Sequence, residues 1–135
     1  MFDKTERSSF KYWFAHWCSF NMVALNQKCW KFKYLFHDME KPFLKLILPY
    51  KTLQKFHRFH NKHHPEYWTY VDEYYKPVVL DMPPIYIAEM LLDHQAMGYK
   101  FGDNAYNYYQ KTKDKKPYSD KTKKIIESVI DIFNK

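Results

Sequence analysis

Phe10-Lys-Tyr-Trp-Phe-Ala-His-Trp-Cys-Ser-Phe-Asn-Met-Val23 reads as one amphipathic helix. Phe10, Trp13, Phe14, Trp17, Phe20 and Val23 recur three and four residues apart, a spacing that an α-helix gathers onto one side. The pattern extends the helix over about residues 5–25. His16 falls three residues after Trp13 and four before Phe20, so it turns toward the same buried face. A core that begins this way is helical, unusually aromatic, and has an imidazole in it.

The same periodicity recurs along the chain. Residues 28–36 read as a second helix with Trp30, Tyr34 and Leu35 inward, delivering His37 and Asp38 at its end, and Pro42 helps mark the break. Residues 43–48 are a short apolar piece closed by Pro49. Residues 52–62 read as a third helix with Leu53, Phe56 and Phe59 on its apolar side, ended by Pro65. A connection rich in Tyr and Pro fills residues 66–84. Residues 85–99 form the fourth helix, with Pro84 suited to its first turn and Gly98 and Gly102 loosening the turn that follows. Residues 104–110 make a short helix. Ser119 is an N-cap for a last helix reaching about Phe133, packed through Ile125, Ile126, Val129, Ile130 and Phe133. With two glycines and few β-branched runs, a many-stranded fold is disfavoured. At 135 residues the expectation is a single all-α domain of five or six helices, its core over about residues 5–110 and a packing helix over about 119–134.

Composition narrows the function classes. Two glycines exclude a Gly-rich phosphate cradle. Cys18 and Cys29 make no disulfide framework. A charged start and the lack of an apolar run of spanning length give no signal peptide and no transmembrane helix, so a cytoplasmic protein is expected. The formal charge of +7 favours anionic partners. The run Lys111-Thr-Lys-Asp-Lys-Lys116 reads as a solvated loop.

The chemistry lies where histidine meets acid. His37 and Asp38 are adjacent and Lys41 follows; His57, His60, His63 and His64 cluster after a gap; Asp93 lies on the fourth helix and His16 on the first. Imidazoles and carboxylates are the donor set of a divalent transition metal. His16, His37, Asp38 and Asp93, from separate elements, are candidate ligands, with His64 the first choice for an extra one. A metal there would acidify its water and polarise a phosphoryl oxygen. Lys41 and His60 could neutralise charge on the phosphoryl group, while Arg58 and His63 could contact a substrate phosphate. Asn61 and Glu66 are candidates to orient the metal-binding imidazoles. Trp68, Tyr70 and Tyr74 could stack on bases.

His37-Asp-Met-Glu-Lys41 resembles the His-Asp-x-x-Lys signature of the HD-domain metal-dependent phosphohydrolases, and His16, His37, Asp38 and Asp93 follow that superfamily's ligand order. His63-His-Pro-Glu66 resembles the His-His-x-Glu stretch of its HD-GYP branch, where extra histidines complete a two-metal site, although no Gly-Tyr-Pro follows here. The chain is also similar to a small bacterial and phage family of unknown function that pairs His-Asp-x-x-Lys with Asn-x-His-His, here Asn61-Lys-His63-His64. The resemblance covers about residues 16–102. It implies an HD-like helical bundle, a divalent cofactor (Mn, Fe, Zn, Co or Mg), and hydrolysis of a nucleotide or related phosphate ester.

Three alternatives stay open: an HD-like domain without catalysis that binds a nucleotide or a protein, a basic nucleic-acid-binding module, and a di-iron oxygenase on the same ligands. A small phosphate-containing anion is the expected partner, ahead of nucleic acid. No membrane partner is expected, and a homodimer through exposed tyrosines stays open.

Overall fold

A computed structural model describes residues 9–134. It is mostly helical, as the periodicity requires, with six α-helices among the described residues: α1 (Phe10–Asn26), α2 (Glu40–Leu44), α3 (Tyr50–His60), α4 (Pro84–Phe101), α5 (Ala105–Thr112) and α6 (Asp120–Val129). Three 3-10 turns, Phe32–Phe36, Pro65–Trp68 and Ile130–Phe133, complete the helical content. An antiparallel hairpin, β1 (Thr69–Val71) and β2 (Pro77–Val79), pairs Tyr70 with Val78.

The helix starts follow cap chemistry. Ser9, Asn104 and Ser119 accept from the backbone N–H of Tyr12, Asn107 and Thr122, each satisfying a donor that helix geometry leaves unpaired. The expected start of α1 at residues 5–8 lies outside the described residues. The α4 helix ends on Gly102, whose φ of 71° is the left-handed conformation glycine takes without strain. Gly98 has a different task from loosening a turn: a Cβ there would sit 2.2 Å from the carbonyl oxygen of Asp103, so only glycine lets the returning chain approach α4.

The α1 and α4 helices make the main packing layer. Phe20, Val23 and Ala24 meet Ile87, Met90, Leu91 and Ala96, and the core continues through Ala105 and Tyr109 to Ile126, Ile130 and Phe133. The C-terminal stripe packs as the spacing predicts at those last three positions, while Val129 is exposed.

Three expectations are corrected. Residues 28–36 are not an α-helix: Lys28 takes a φ of 56°, and the indole of Trp30 donates to Asn21 Oδ1 at 2.8 Å, which leads the chain back across α1. What remains is the tight turn Phe32–Phe36, with Tyr34 buried and Trp30 exposed. On α3 the buried pair is Leu53 and His57; Phe56 and Phe59 face outward. The long connection contains the hairpin, whose turn is held by Asp72 Oδ1 accepting from the N–H groups of Tyr74 and Lys76. Among the described residues no helix is long and apolar enough to cross a membrane.

Candidate metal centre

His16 enters from the middle of α1, and Asp93 faces it from α4. His37 and Asp38 arrive on the segment between the Phe32–Phe36 turn and α2. Asp38 holds a φ of 53°, a left-handed conformation that costs a residue with a Cβ free energy. Two bonds hold it there. The indole of Trp13 donates to its carbonyl oxygen at 2.9 Å, and Lys41 Nζ lies 2.6 Å from its Oδ2. Strained backbone so pinned is a feature of functional sites rather than of plain packing.

The four side chains meet. His16 Nε2 is 2.7 Å from Asp93 Oδ1, and His37 Nε2 is 3.2 Å from the same oxygen and 3.5 Å from Asp38 Oδ2. All four are buried, and each offers a ligand atom within 4.8 Å of the others. The ring of Phe20 stacks on His37 with centroids 3.7 Å apart, which fixes the plane of the imidazole.

A second cluster adjoins the first through Asp38. Its Oδ1 lies 3.2 Å from His57 Nε2 and 3.4 Å from His63 Nε2, and His64 Nε2 lies 2.8 Å from His57 Nε2. His57, His63 and His64 also satisfy the 4.8 Å criterion as a group. Asp38 Oδ1 and His63 Nε2 are buried without a hydrogen-bond partner, as are His16 Nδ1 and His37 Nδ1. Buried polar atoms are rarely left so, and orphaned donor atoms that converge are what a cation would satisfy. The donor set of imidazole and carboxylate fits a divalent ion in each cluster, with Asp38 shared.

Two acids stand behind the histidines. Glu89 on α4 places Oε1 3.5 Å from Nδ1 of both His37 and His63, while its Oε2 takes Lys33 Nζ at 2.8 Å. Glu40 hydrogen-bonds His57 Nδ1 and accepts from the Asn61 amide at 2.8 Å. A carboxylate hydrogen-bonded to the far nitrogen, as Glu40 is to His57, fixes the tautomer and turns Nε2 inward, while Glu89 attracts the Nδ1 edges of His37 and His63 through its charge. The acids dominate the electrostatics around His37. Burial alone would lower His37, but Asp38 and Asp93 raise it to about 10. Burial alone would raise Asp38 and Asp93, but His37 and the neighbouring cations hold both well below the usual carboxylate range. Burial keeps His57 and His64 on the low side, which is the neutral form a metal takes up.

A cleft of about 120 Å³ reaches this centre; His16, His57, His64 and Asp93 lie in its wall with Lys41, Arg58 and Lys116. Of the residues expected from sequence, His16, His37, Asp38, Lys41, His63, His64 and Asp93 come together, and Arg58 stands at the cleft. Asn61 contacts Glu40 and the backbone of His57, as an orienting residue should. Glu66 stands apart from the histidines and pairs with Lys116 at 2.8 Å. His60 is not brought in. The α3 helix stops at His60, whose ring stacks on Phe56 and bonds the Phe56 carbonyl, exposed. The predicted shared face of His57, His60 and His64 therefore fails, because His64 reaches His57 from the following turn. Tyr70 and Tyr74 sit exposed on the hairpin.

Sequence reasoning missed His57 as a ligand candidate, Glu40 as its support, Glu89 behind His37 and His63, and His94. His94 is buried beside the cleft, its ring tilted against that of Tyr108 with centroids 4.4 Å apart, and burial lowers it to about 4, so it is neutral. A Glu four residues before Asp93 on one helix face was the available signal for Glu89. Lys116 gave none, since its loop reads as solvent-exposed charge.

No curated protein and no solved structure matches the chain. A family model does match, over residues 50–132, which takes in His57, His63, His64, Glu89 and Asp93 but begins after His37 and Asp38. That span is more than half of the chain, and the protein belongs to the family of unknown function DUF5662.

Proposed function

We propose that the protein is a metal-dependent phosphohydrolase with an HD-like site, acting on a nucleotide or related phosphate ester. The observation that carries this reading is the convergence of His16, His37, Asp38 and Asp93, four side chains from remote segments, within 4.8 Å, with three more histidines grouped beside Asp38. Divalent ions held there would supply a Lewis acid and a water acidic enough to attack at neutral pH.

The chain's own groups do the rest. Asp38 joins the two clusters, so its loss disturbs both. Lys41 holds the Oδ2 of Asp38 and faces the cleft, where its charge offsets that of a phosphoryl group. Arg58, with which no carboxylate among the described residues pairs, adds positive charge to the same cleft, taking the part that His60 cannot reach. Glu89 and Glu40 keep the imidazoles turned inward.

The test is elemental analysis of protein purified without chelator, beside Asp38→Ala, followed by a screen of nucleotides and phosphate esters with added manganese. Metal in the parent and its loss in the variant support the reading, and phosphate release that depends on manganese completes it. Equal metal in the two proteins removes it.

A further inference from the structure

We infer that the substrate of this site is a single-stranded nucleic acid, whose backbone lies along α3 with one phosphodiester in the cleft; this rests on the phosphohydrolase reading. The cleft does not close at Arg58. It opens into a groove of about 330 Å³ lined by Tyr50, Lys51, Gln54, Lys55, Arg58, Phe59 and Glu66, and Gln54 and Arg58 line both. The groove and the cleft are one track leading to the metal ligands.

That track is basic for a reason legible in α3. Its sequence, Tyr-Lys-Thr-Leu-Gln-Lys-Phe-His-Arg-Phe-His, has no acid. Burying Leu53 and His57 turns Lys51, Lys55 and Arg58 outward, where they follow one another at four and three residues. No carboxylate among the described residues pairs with any of these three. The one carboxylate in the groove, Glu66, is neutralised by Lys116 at 2.8 Å. From Lys51 to Arg58 the helix rises roughly 10 Å, so its three cations can each take a successive phosphate of one flexible strand. A lone nucleotide would use one end of this row and leave the rest unmatched.

Aromatic rings decide between a nucleic acid and a plain polyanion. Tyr50 and Phe59 are 38% and 48% exposed in the same groove, one at each end of the row of cations. A charged track flanked by exposed rings is the arrangement that binds single strands, with phosphates on the cations and bases on the rings. The narrow cleft, about 120 Å³, has room for one phosphate of a flexible strand and not for the body of a duplex. Hydrolysis there would join a water oxygen to phosphorus and break the phosphorus–oxygen bond to one sugar. One water proton ends on the leaving hydroxyl and the other passes to solvent, and the second fragment keeps a terminal phosphate.

The experiment measures binding of a fluorescent 12-nucleotide single strand by anisotropy, with chelator present, against competing mononucleotide, duplex and inorganic polyphosphate. The strand should bind at least tenfold tighter than each competitor. With three phosphates engaged, the slope of log affinity on log salt should be about −2. Lys51→Gln with Lys55→Gln should flatten that slope by about 1.4, whereas Lys121→Gln with Lys124→Gln, which removes the same charge from exposed positions on α6, should leave it near the parent value. Equal affinity for mononucleotide and strand overturns the inference, as does polyphosphate binding as tightly or an equal effect of the two double variants. Because binding is read without metal, it is independent of the metal content on which the phosphohydrolase reading stands. Hydrolysis of mononucleotides with no strand binding would sink this inference alone.

Discussion

Replacing Glu89 by glutamine should weaken metal binding in both clusters at once. One oxygen of Glu89 lies 3.5 Å from Nδ1 of both His37 and His63, one imidazole from each of the two clusters, and the three residues also bring ligand atoms within 4.8 Å of one another. The carboxylate side chain is only 11% exposed, so no water replaces it readily. Loss of one such outer partner lowers metal affinity by about 10–100-fold, or roughly 1.4–2.7 kcal/mol. Glutamine keeps the shape and one acceptor, which places Glu89→Gln near the lower figure; Glu89→Ala, with no acceptor, should approach the higher one. Lys33 holds the other oxygen from a side chain 38% exposed, and such pairs contribute at most about 1 kcal/mol. Lys33→Met should therefore cost less than about fivefold. The assay is competition for manganese or zinc against a chromogenic chelator at fixed pH. Thermal unfolding in excess chelator separates loss of metal binding from loss of fold. Parent-like affinity in both Glu89 variants, or a Lys33→Met effect as large as Glu89→Ala, would refute the assigned role.

Three further outcomes follow from the same geometry. His64→Ala should lower the metal stoichiometry and leave the remaining ion at near-parental affinity, while Asp38→Ala should remove both ions; elemental analysis of the two variants distinguishes a shared aspartate from independent sites. Gly98→Ala should destabilise by about 1–3 kcal/mol, because the new Cβ meets a backbone carbonyl that no side-chain rotation can move, and the melting temperature reports it. Stability should also fall as pH rises above 10. Burial and the neighbouring Glu89 raise Tyr34 to about 12, so the unfolded chain releases that proton first and the folded state loses up to about 2.7 kcal/mol by pH 12. Tyr34→Phe should reduce this slope in denaturant titrations at pH 9 and 11.

Much of the site was legible because metal ligands are a small set of residue types. His37 and Asp38 stand together in the chain, and helical spacing turns His16 and Asp93 to buried faces without any knowledge of the fold. The limits are equally physical. His57 and His60 look alike in sequence, three residues apart and each directly after a phenylalanine. Which one turns inward depends on how α3 lies against the Asp38 segment, and that packing buries Leu53 with His57. Glu89 is a helix-face acid until His37 and His63 stand in front of it. Lys116 is one lysine in a basic run until Glu66 pins it at the cleft.

The amino-acid sequence determined the helical class, the cap position Ser119, the C-terminal packing stripe and the donor chemistry, because each depends on neighbours within a turn or two of helix. It could not set the two short strands, whose three residues carry little pattern, nor the turn after α1, where the indole of Trp30 bonding Asn21 outweighs local preference. Tertiary structure alone decided that Asp38 stands between two clusters and that the cations of α3 lead into its cleft. Both are relations between segments remote in the chain, and only the packing of α1, α3 and α4 around one polar centre creates them.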